Sequence, residues 1–177
     1  MTILLFGVSN VGKSTIGELI AHKLNFDFYD LDTEIKKKYH ITLEEFVSTG
    51  SLRERDQKRC QLLRTLVKKS GNKVIAVTPL SYAGAIVPII NSSEVFSIEL
   101  IDTPENIFSR LVFSNENDII YRDDDYKNAH KEYYLSEIQK DLVWYGSVYQ
   151  NITNKFFING KTPLAVTEEI IHMYHLT

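Results

Sequence analysis

Residues 7–14 carry the clearest chemical pattern in the chain. The segment reads Gly7-Val-Ser-Asn-Val-Gly12-Lys13-Ser14, which places two glycines, a lysine and a hydroxyl residue at the offsets of a phosphate-binding P-loop. Glycines are needed where backbone must touch phosphate, the lysine reaches the β- and γ-phosphates, and the hydroxyl ligates Mg2+. The alternative is a glycine turn that matches by chance. The pattern predicts that this segment binds the phosphates of a nucleotide.

The sequence on either side of this segment suits the same interpretation. Residues 2–6 are apolar and predict a buried strand, while Ile16, Leu19, Ile20 and Leu24 repeat at helical spacing. A loop between strand and helix presents backbone N–H groups at the helix N-terminus, where the helix dipole favours anions. This context makes a chance glycine turn the weaker interpretation.

Two carboxylates follow the next predicted strand, in Phe28-Tyr-Asp30-Leu-Asp32. Ligand sites of α/β proteins gather outside the carboxyl ends of the strands. One carboxylate would hold Mg2+ through water, and the other would take the proton of an acceptor hydroxyl. The alternative is that Asp32 only caps the following helix. Beside a P-loop, the pattern favours the functional interpretation.

Apolar runs separated by helix-patterned segments predict repeated βαβ units. Near-continuous runs such as residues 74–77 are typical of strands that are covered on both faces. The sequence predicts one α/β domain over residues 1–177, a three-layer α/β/α sandwich with a polar lid segment at about 112–128. The five strands of its parallel sheet are expected at residues 2–6, 26–29, 73–78, 95–101 and 155–158.

The composition limits the classes of function that remain. Hydrophobic residues make up 44% and charged residues 24% of 177 residues, which is ordinary for a globular protein. A net charge of -3 argues against a broad nucleic-acid footprint. The single cysteine, Cys60, fits a reducing compartment, and the apolar opening ends at Gly7, too short for a signal peptide or a membrane span. We expect a cytoplasmic monomer that binds a small molecule, and neither nucleic acid nor membrane.

The motifs and their order resemble the shikimate kinase family of the nucleoside monophosphate kinase-like P-loop group. The resemblance rests on the P-loop followed by residues 15–17, on residues 24–32, and on residues 41–46 with Gly50. It implies a P-loop NTPase fold with a lid, and an ATP- and Mg2+-dependent phosphotransferase in which Lys13 acts on the transferred phosphate. The implied nucleotide-binding residues are Gly7, Asn10, Val11, Gly12, Lys13, Ser14, Thr15 and Arg110.

The resemblance also implies roles on the acceptor side. Asp30, with Ser14, would serve the metal, and Asp32 would hold and deprotonate the acceptor hydroxyl. The family's carboxylate-binding arginine falls at Arg55, or at Arg53 if the register shifts. The alternative is that these arginines, with Lys58 and Arg59, form a solvated helix face.

The acceptor half departs from the family pattern at two places. The family's glycine triplet after the third strand, which lets backbone approach the substrate, is Thr78-Pro79-Leu80 here. Proline cannot donate an N–H, and leucine adds bulk. The position of a second carboxylate-binding arginine is occupied by Tyr145. A site that pairs a carboxylate with two arginines would lose affinity for that acid.

A third departure lies in the lid, where the family's Arg-Pro-Leu-Leu corresponds to residues 117–120, Asn-Asp-Ile-Ile. Losing that arginine removes charge stabilisation of the transferred group, unless Arg122 substitutes for it. We therefore expect a small-molecule kinase whose acceptor is not shikimate. Two alternatives stay open: a true shikimate kinase with rearranged arginines, and a nucleotide-binding protein without kinase activity.

Overall fold

Five parallel strands form the central sheet of the computed structural model, which describes residues 1–177. The strands along the chain are β1 (Thr2–Phe6), β2 (Asp27–Asp30), β3 (Lys73–Ala76), β4 (Phe96–Ile101), β5 (Phe113–Ser114), β6 (Ile120–Tyr121) and β7 (Asn154–Phe157). The central sheet has the order β2-β3-β1-β4-β7, with every neighbouring pair parallel. The P-loop strand β1 is therefore the middle strand of the sheet.

Nine helices cover both faces of this sheet. They are α1 (Lys13–Leu24), α2 (Leu31–Tyr39), α3 (Leu43–Ser48), α4 (Leu52–Val67), α5 (Ala83–Ile90), α6 (Pro104–Arg110), α7 (Asp124–Ala129), α8 (Lys131–Val148) and α9 (Pro163–Met173). Helices α1, α6, α8 and α9 contribute to the apolar core on one face, and α2 to α5 to the core on the other. None of the helices has the length and apolar character needed to cross a membrane. The predicted three-layer sandwich is confirmed.

The apolar run of β1 shows why the middle strand is buried on both sides. Ile3 and Leu5 pack into one core, and Leu4 and Phe6 pack into the other. Successive side chains of a strand point to opposite faces, so only a continuous apolar run fills both cores. Burial of β1 fixes the position of Gly7, which leaves the sheet at its carboxyl edge.

The predicted strands agree with the observed ones to within two residues at either end. Strand β3 was expected to continue to Thr78 but ends at Ala76, because the chain leaves the sheet before Pro79. The hairpin β5–β6 was not predicted. Its strands have only two residues each, too few to show a period in the sequence.

The aromatic side chains of α8 are only partly in the core. Tyr149, just after the helix, is fully buried, and Tyr145 is half-buried. Tyr133 and Trp144, however, are 61% and 60% exposed. Helix α8 packs through one stripe, and Ile138 is its only buried residue.

Gly7 should tolerate no side chain, because of both its conformation and its neighbour. Its φ is 137°, and a Cβ would lie 2.5 Å from the carbonyl oxygen of Leu100. We expect Gly7→Ala to lower the free energy of unfolding by about 1–3 kcal/mol in urea denaturation. The matched control is Gly146→Ala in α8, where a Cβ meets nothing within 4 Å and stability should hold or rise. Equal stability of the two variants would contradict this account.

Candidate active site

The P-loop forms a tight turn that encloses its own lysine. Gly12, at φ 112°, is the residue before α1, and Asn10 is also left-handed at φ 60°. The ammonium group of Lys13 donates to the carbonyl oxygens of Gly7 at 3.0 Å and Val8 at 2.7 Å. The lysine therefore lies inside the loop, at the N-terminus of a helix, where backbone and dipole both suit an anion.

A cleft of about 490 Å3 opens in front of this loop. Two of the expected nucleotide-binding residues do not line it: Val11 is buried in the core, and Gly7 lies beneath the loop against Leu100. Residues of the lid segment also line this cleft, among them Arg122. The lining residues are Asn10, Gly12, Lys13, Ser14, Thr15, Arg110, Val112, Ile120 and Arg122. The structure thus gathers most of the expected phosphate site, and Arg122 lines the same cleft as Lys13.

Arg110 is held rigidly at the edge of the cleft. Its guanidinium donates to a carboxylate oxygen of Asp102 at 2.6 Å and to the carbonyl oxygen of Asn10 at 3.3 Å. Burial raises the pKa of Asp102, but hydrogen bonds from Asn106 and Arg110 outweigh burial and lower the pKa overall. The ionised Asp102 therefore fixes Arg110 beside the P-loop.

The two groups expected to serve the metal are in direct contact. The hydroxyl of Ser14 donates to Asp30 Oδ2 at 2.6 Å, and the backbone N–H of Thr33 donates to Asp30 Oδ1 at 3.1 Å. Asp30 therefore caps α2, and the alternative that gave this cap to Asp32 was wrong. Hydroxyl and carboxylate oxygens are the donors that Mg2+ prefers, and this ion commonly takes only one or two carboxylates alongside water and phosphate.

Asp32 lies in the first turn of α2 with a free acceptor atom. Its Oδ1 is buried and accepts no hydrogen bond. Burial raises the pKa of Asp32, while a hydrogen bond from Thr78 and the charges of Arg59 and Lys13 act in the opposite direction. The carboxylate of Asp32 also lines a cavity of about 400 Å3, where it is placed to accept a proton from a bound hydroxyl group.

The arginine closest to Asp32 is Arg59. The sequence offered for Arg59 only the interpretation of a solvated helix face. Arg59 is 7% exposed, with its guanidinium 3.9 Å from Asp32 Oδ1 and 3.6 Å from Asp56 Oδ1. It makes no hydrogen bond, and its Nε is buried without a partner. Its spacing of four from Arg55 puts both on one side of α4. This spacing is the sequence signal that could have identified Arg59, because Arg59 lies one helical turn after Arg55 on the same side of α4 and is buried.

The two arginines expected at the acceptor site are both engaged by nearby groups. Arg55 donates to the carbonyl oxygens of Thr49 at 3.1 Å and Gly50 at 2.8 Å, in the turn before its own helix. Arg53 is exposed, and its guanidinium donates to the Tyr82 hydroxyl at 3.0 Å. Both belong to the first turn of α4, so they reach the near loop and the surface, and neither forms an ion pair with Asp32.

The loop after β3 is fixed from beneath and presents little backbone to a ligand. Leu80 is fully buried, and its N–H donates to the Tyr149 hydroxyl at 2.9 Å. The fully buried carboxylate of Asp56 accepts from the backbone N–H groups of Ser81 at 2.9 Å and Tyr82 at 3.0 Å. The expected substrate contact at Leu80 is therefore a core contact in this structure.

Pro79 and Tyr145 are both partly accessible to solvent. Pro79 is half-buried in the same loop. Tyr145 is half-buried as well, and its ring stacks at 6.1 Å on that of Tyr149. Burial raises the pKa of Tyr145, and the nearby charge of Asp141 adds to this effect. Tyr145 therefore offers a neutral hydroxyl where the family pattern has an arginine.

Comparison with known proteins gives a consistent similarity. The family model described as shikimate kinase matches residues 9–175. A shikimate kinase of Caldicellulosiruptor saccharolyticus is 32% identical over 179 residues, covering 97% of this chain and 94% of that protein. The crystal structure of shikimate kinase from Bacteroides thetaiotaomicron matches with a TM-score of 0.78 at 20% identity, covering 99% of both chains. At that identity, the structural likeness shows the fold alone.

Other matches are local. The chain spans 5% of the pentafunctional AROM polypeptide of Schizosaccharomyces japonicus, with 33% identity over 75 residues. It spans 23% of a shikimate kinase of Bacillus pumilus, with 56% identity over 43 residues. For both, the chain covers less than two thirds of the relative's length.

Burial of Lys13 predicts that nucleotide affinity falls as the pH is raised. Burial lowers the pKa of Lys13 to about 8, although the charges of Asp32 and Asp30 act to raise it. The phosphate-attracting cation is present below this pH and is lost above it. We expect the Kd for ADP, measured by calorimetry, to rise by up to about tenfold per pH unit above that value. Lys13→Arg keeps its charge throughout, so its Kd should be constant over the same range; a parallel rise in both proteins would refute the assignment to Lys13.

Proposed function

This chain belongs to the shikimate kinase family, and we propose that it transfers the γ-phosphoryl group of ATP to a hydroxyl of shikimate. As a member of this family it is an ATP-dependent kinase, which sets aside a nucleotide-binding role without catalysis. The expectation of a different acceptor rested on the missing glycines and arginines. The family match and one buried arginine now favour the rearranged-arginine alternative.

The observation that carries the proposed acceptor is Arg59 beside Asp32. Shikimate is a hydroxylated carboxylic acid, so its site needs a cation close to the base. Arg59 supplies a buried guanidinium near Asp32 Oδ1, and it has hydrogen-bond donors left over because it makes only ion pairs. A carboxylate that fills those donors gains charge-assisted hydrogen bonds in a site of low dielectric. Arg59 thus takes the role that the sequence assigned to Arg55 or Arg53.

The nucleotide side would use the cleft in front of the P-loop. The helix N-terminus and Lys13 bind the β- and γ-phosphates of ATP. Mg2+, which Ser14 and Asp30 have the oxygen donors to hold, would supply charge neutralisation on those phosphates. Arg122 lines the same cleft from the lid and would stabilise charge on the transferred group in place of the missing lid arginine.

The transfer step then follows from Asp32. The acceptor hydroxyl would lie against the carboxylate of Asp32, which takes its proton as the hydroxyl oxygen forms a bond to the γ-phosphorus. The bond from the γ-phosphorus to the bridging oxygen of ADP breaks in the same step, and Lys13 stabilises the charge on the leaving ADP. Burial raises the pKa of Asp32, which brings this base closer to the operating pH.

A second acceptor class is favoured by the loop after β3. Leu80 is buried and its N–H is bonded to Tyr149, so this loop offers less backbone to a substrate than a glycine triplet does. That difference suits another small hydroxy acid of a different shape. The remaining expectations stay predictions: a cytoplasmic location, a monomeric state, a single domain over residues 1–177, and no nucleic-acid or membrane partner.

The direct test is ADP release by the purified protein with ATP and Mg2+. Release should depend on shikimate, and Lys13→Ala should abolish it because the cation on the phosphates is lost. A pooled metabolite extract serves as the comparison. Stimulation by the extract but not by shikimate would favour the second acceptor class, and no stimulation by either would refute the proposed reaction.

Replacing Arg59 tests its assignment. Arg59→Met should raise the KM for shikimate about 10- to 100-fold, through loss of charge-assisted hydrogen bonds, and leave the KM for ATP nearly unchanged. The matched control is Lys58→Met, which removes an exposed charge from the same helix. Arg59→Lys retains a cation beside Asp56, so it should show the kinetic effect with a smaller loss of stability. Kinetics of Arg59→Met that match those of Lys58→Met would contradict the assignment.

A further inference from the structure

The lid hairpin is attached to the acceptor-side helices through Asp118. Both carboxylate oxygens of Asp118 accept from the backbone N–H of Leu43, at 3.1 and 2.9 Å. The ammonium group of Lys36 lies 3.5 Å from Asp118 Oδ2, and the Asp118 side chain is only 11% exposed. This contact joins residues that are 75 positions apart in the chain. It is therefore a tertiary contact that fixes where the lid rests.

The partner of Asp118 is a backbone group that its own helix leaves open. Leu43 is the first residue of α3, so its N–H has no acceptor within the helix. The cap residue Thr42 is already engaged, because its side chain accepts from Glu45 and its N–H donates to the Glu45 side chain. A carboxylate at a helix N-terminus is also favoured by the helix dipole. Asp118 thus completes the α3 terminus from a distant segment.

The backbone conformation of the lid orients the carboxylate of Asp118 toward Leu43. Asp118 is left-handed at φ 58°, a conformation that Asp tolerates better than most residues. The loop before it is tied together by Asn115, whose side chain accepts from the N–H groups of Asn117 and Ile119 at 3.0 Å each. The anchor is consequently held by a structured turn.

The same hairpin reaches the nucleotide cleft on its other side. Ile120 lines the cleft in front of the P-loop together with Arg122, and it also lines a second cavity of about 400 Å3 with Asp118, Asp30 and Asp32. Fixing Asp118 against α2 and α3 therefore restrains Ile120 and Arg122, which line the cleft in front of the P-loop. The base of the hairpin is held separately, by packing of Phe113 against Tyr121, Tyr126 and Tyr134, so Asp118 is the contact that attaches its tip.

We propose that Asp118 is a positioning residue for ATP binding, which holds the lid against α2 and α3 so that Arg122 lies over the phosphates. In this chain the position after the missing lid arginine supplies an anchor, and the cation comes from Arg122. The inference rests on the nucleotide site of the proposed function and is independent of the acceptor. It is tested by nucleotide binding and lid dynamics, neither of which requires turnover.

The first pair of variants changes one lid carboxylate at a time. Asp118→Gly removes the anchor without strain, because glycine accepts the left-handed conformation. The control, Glu116→Gly, makes the same change of charge and flexibility at an exposed residue without a hydrogen bond or ion pair. We expect Asp118→Gly to weaken ADP·Mg2+ binding about tenfold by calorimetry and to speed amide hydrogen exchange in residues 112–122. Glu116→Gly should resemble wild type in both.

The second pair tests the other partner. Leu43→Pro removes the donated N–H at a first-turn position that suits proline, whereas Leu43→Ala keeps the N–H and loses more side chain. Leu43→Pro should reproduce the binding and exchange effects, and Leu43→Ala should not. If Asp118→Gly lowers only the melting temperature, or if Leu43→Ala matches Leu43→Pro, Asp118 is merely a helix cap and the proposal is wrong.

Discussion

The acceptor half of the protein depends on one buried cation, the guanidinium of Arg59. It lies between the carboxylates of Asp32 and Asp56, which belong to different helices. Asp56 in turn holds the backbone of Ser81 and Tyr82. A buried charge must be compensated, and removing one partner of such a pair typically costs about 3–5 kcal/mol. The same requirement that keeps α2, α4 and the loop after β3 together also keeps a cation beside Asp32.

The nucleotide half depends on a different constraint, the close approach of backbone to backbone at the end of β1. Gly7 lies so close to the Leu100 carbonyl oxygen that a Cβ would not fit between them. The turn that follows places the ammonium group of Lys13 against the carbonyl oxygens of Gly7 and Val8. Burial that lowers the pKa of Lys13 also removes water from the place where phosphates would bind. The turn after β1 therefore both satisfies the packing of the sheet and forms the anion-binding site.

The lid connects these two halves through opposite ends of a short hairpin. Its tip contacts the helices that carry the acidic residues, and Arg122 at its end faces the P-loop. The family pattern places an arginine within the lid motif at residues 117–120, whereas this chain has Arg122 two residues beyond it, and Arg122 lines the cleft in front of the P-loop. A change in sequence position therefore need not remove a charge from the site, because a hairpin brings neighbouring positions to the same cleft.

The sequence by itself determined the sheet and the P-loop, because each depends on local pattern: apolar runs and fixed glycine offsets. It did not determine which arginine accompanies Asp32. The sequence alone does not distinguish among Arg53, Arg55 and Arg59. Only the packing of α4 against α2 decides that Arg59 is buried while Arg53 stays at the surface. The roles of Leu80 and Asp118 were likewise decided by the tertiary structure, because their partners, Tyr149 and Leu43, are 69 and 75 residues away along the chain.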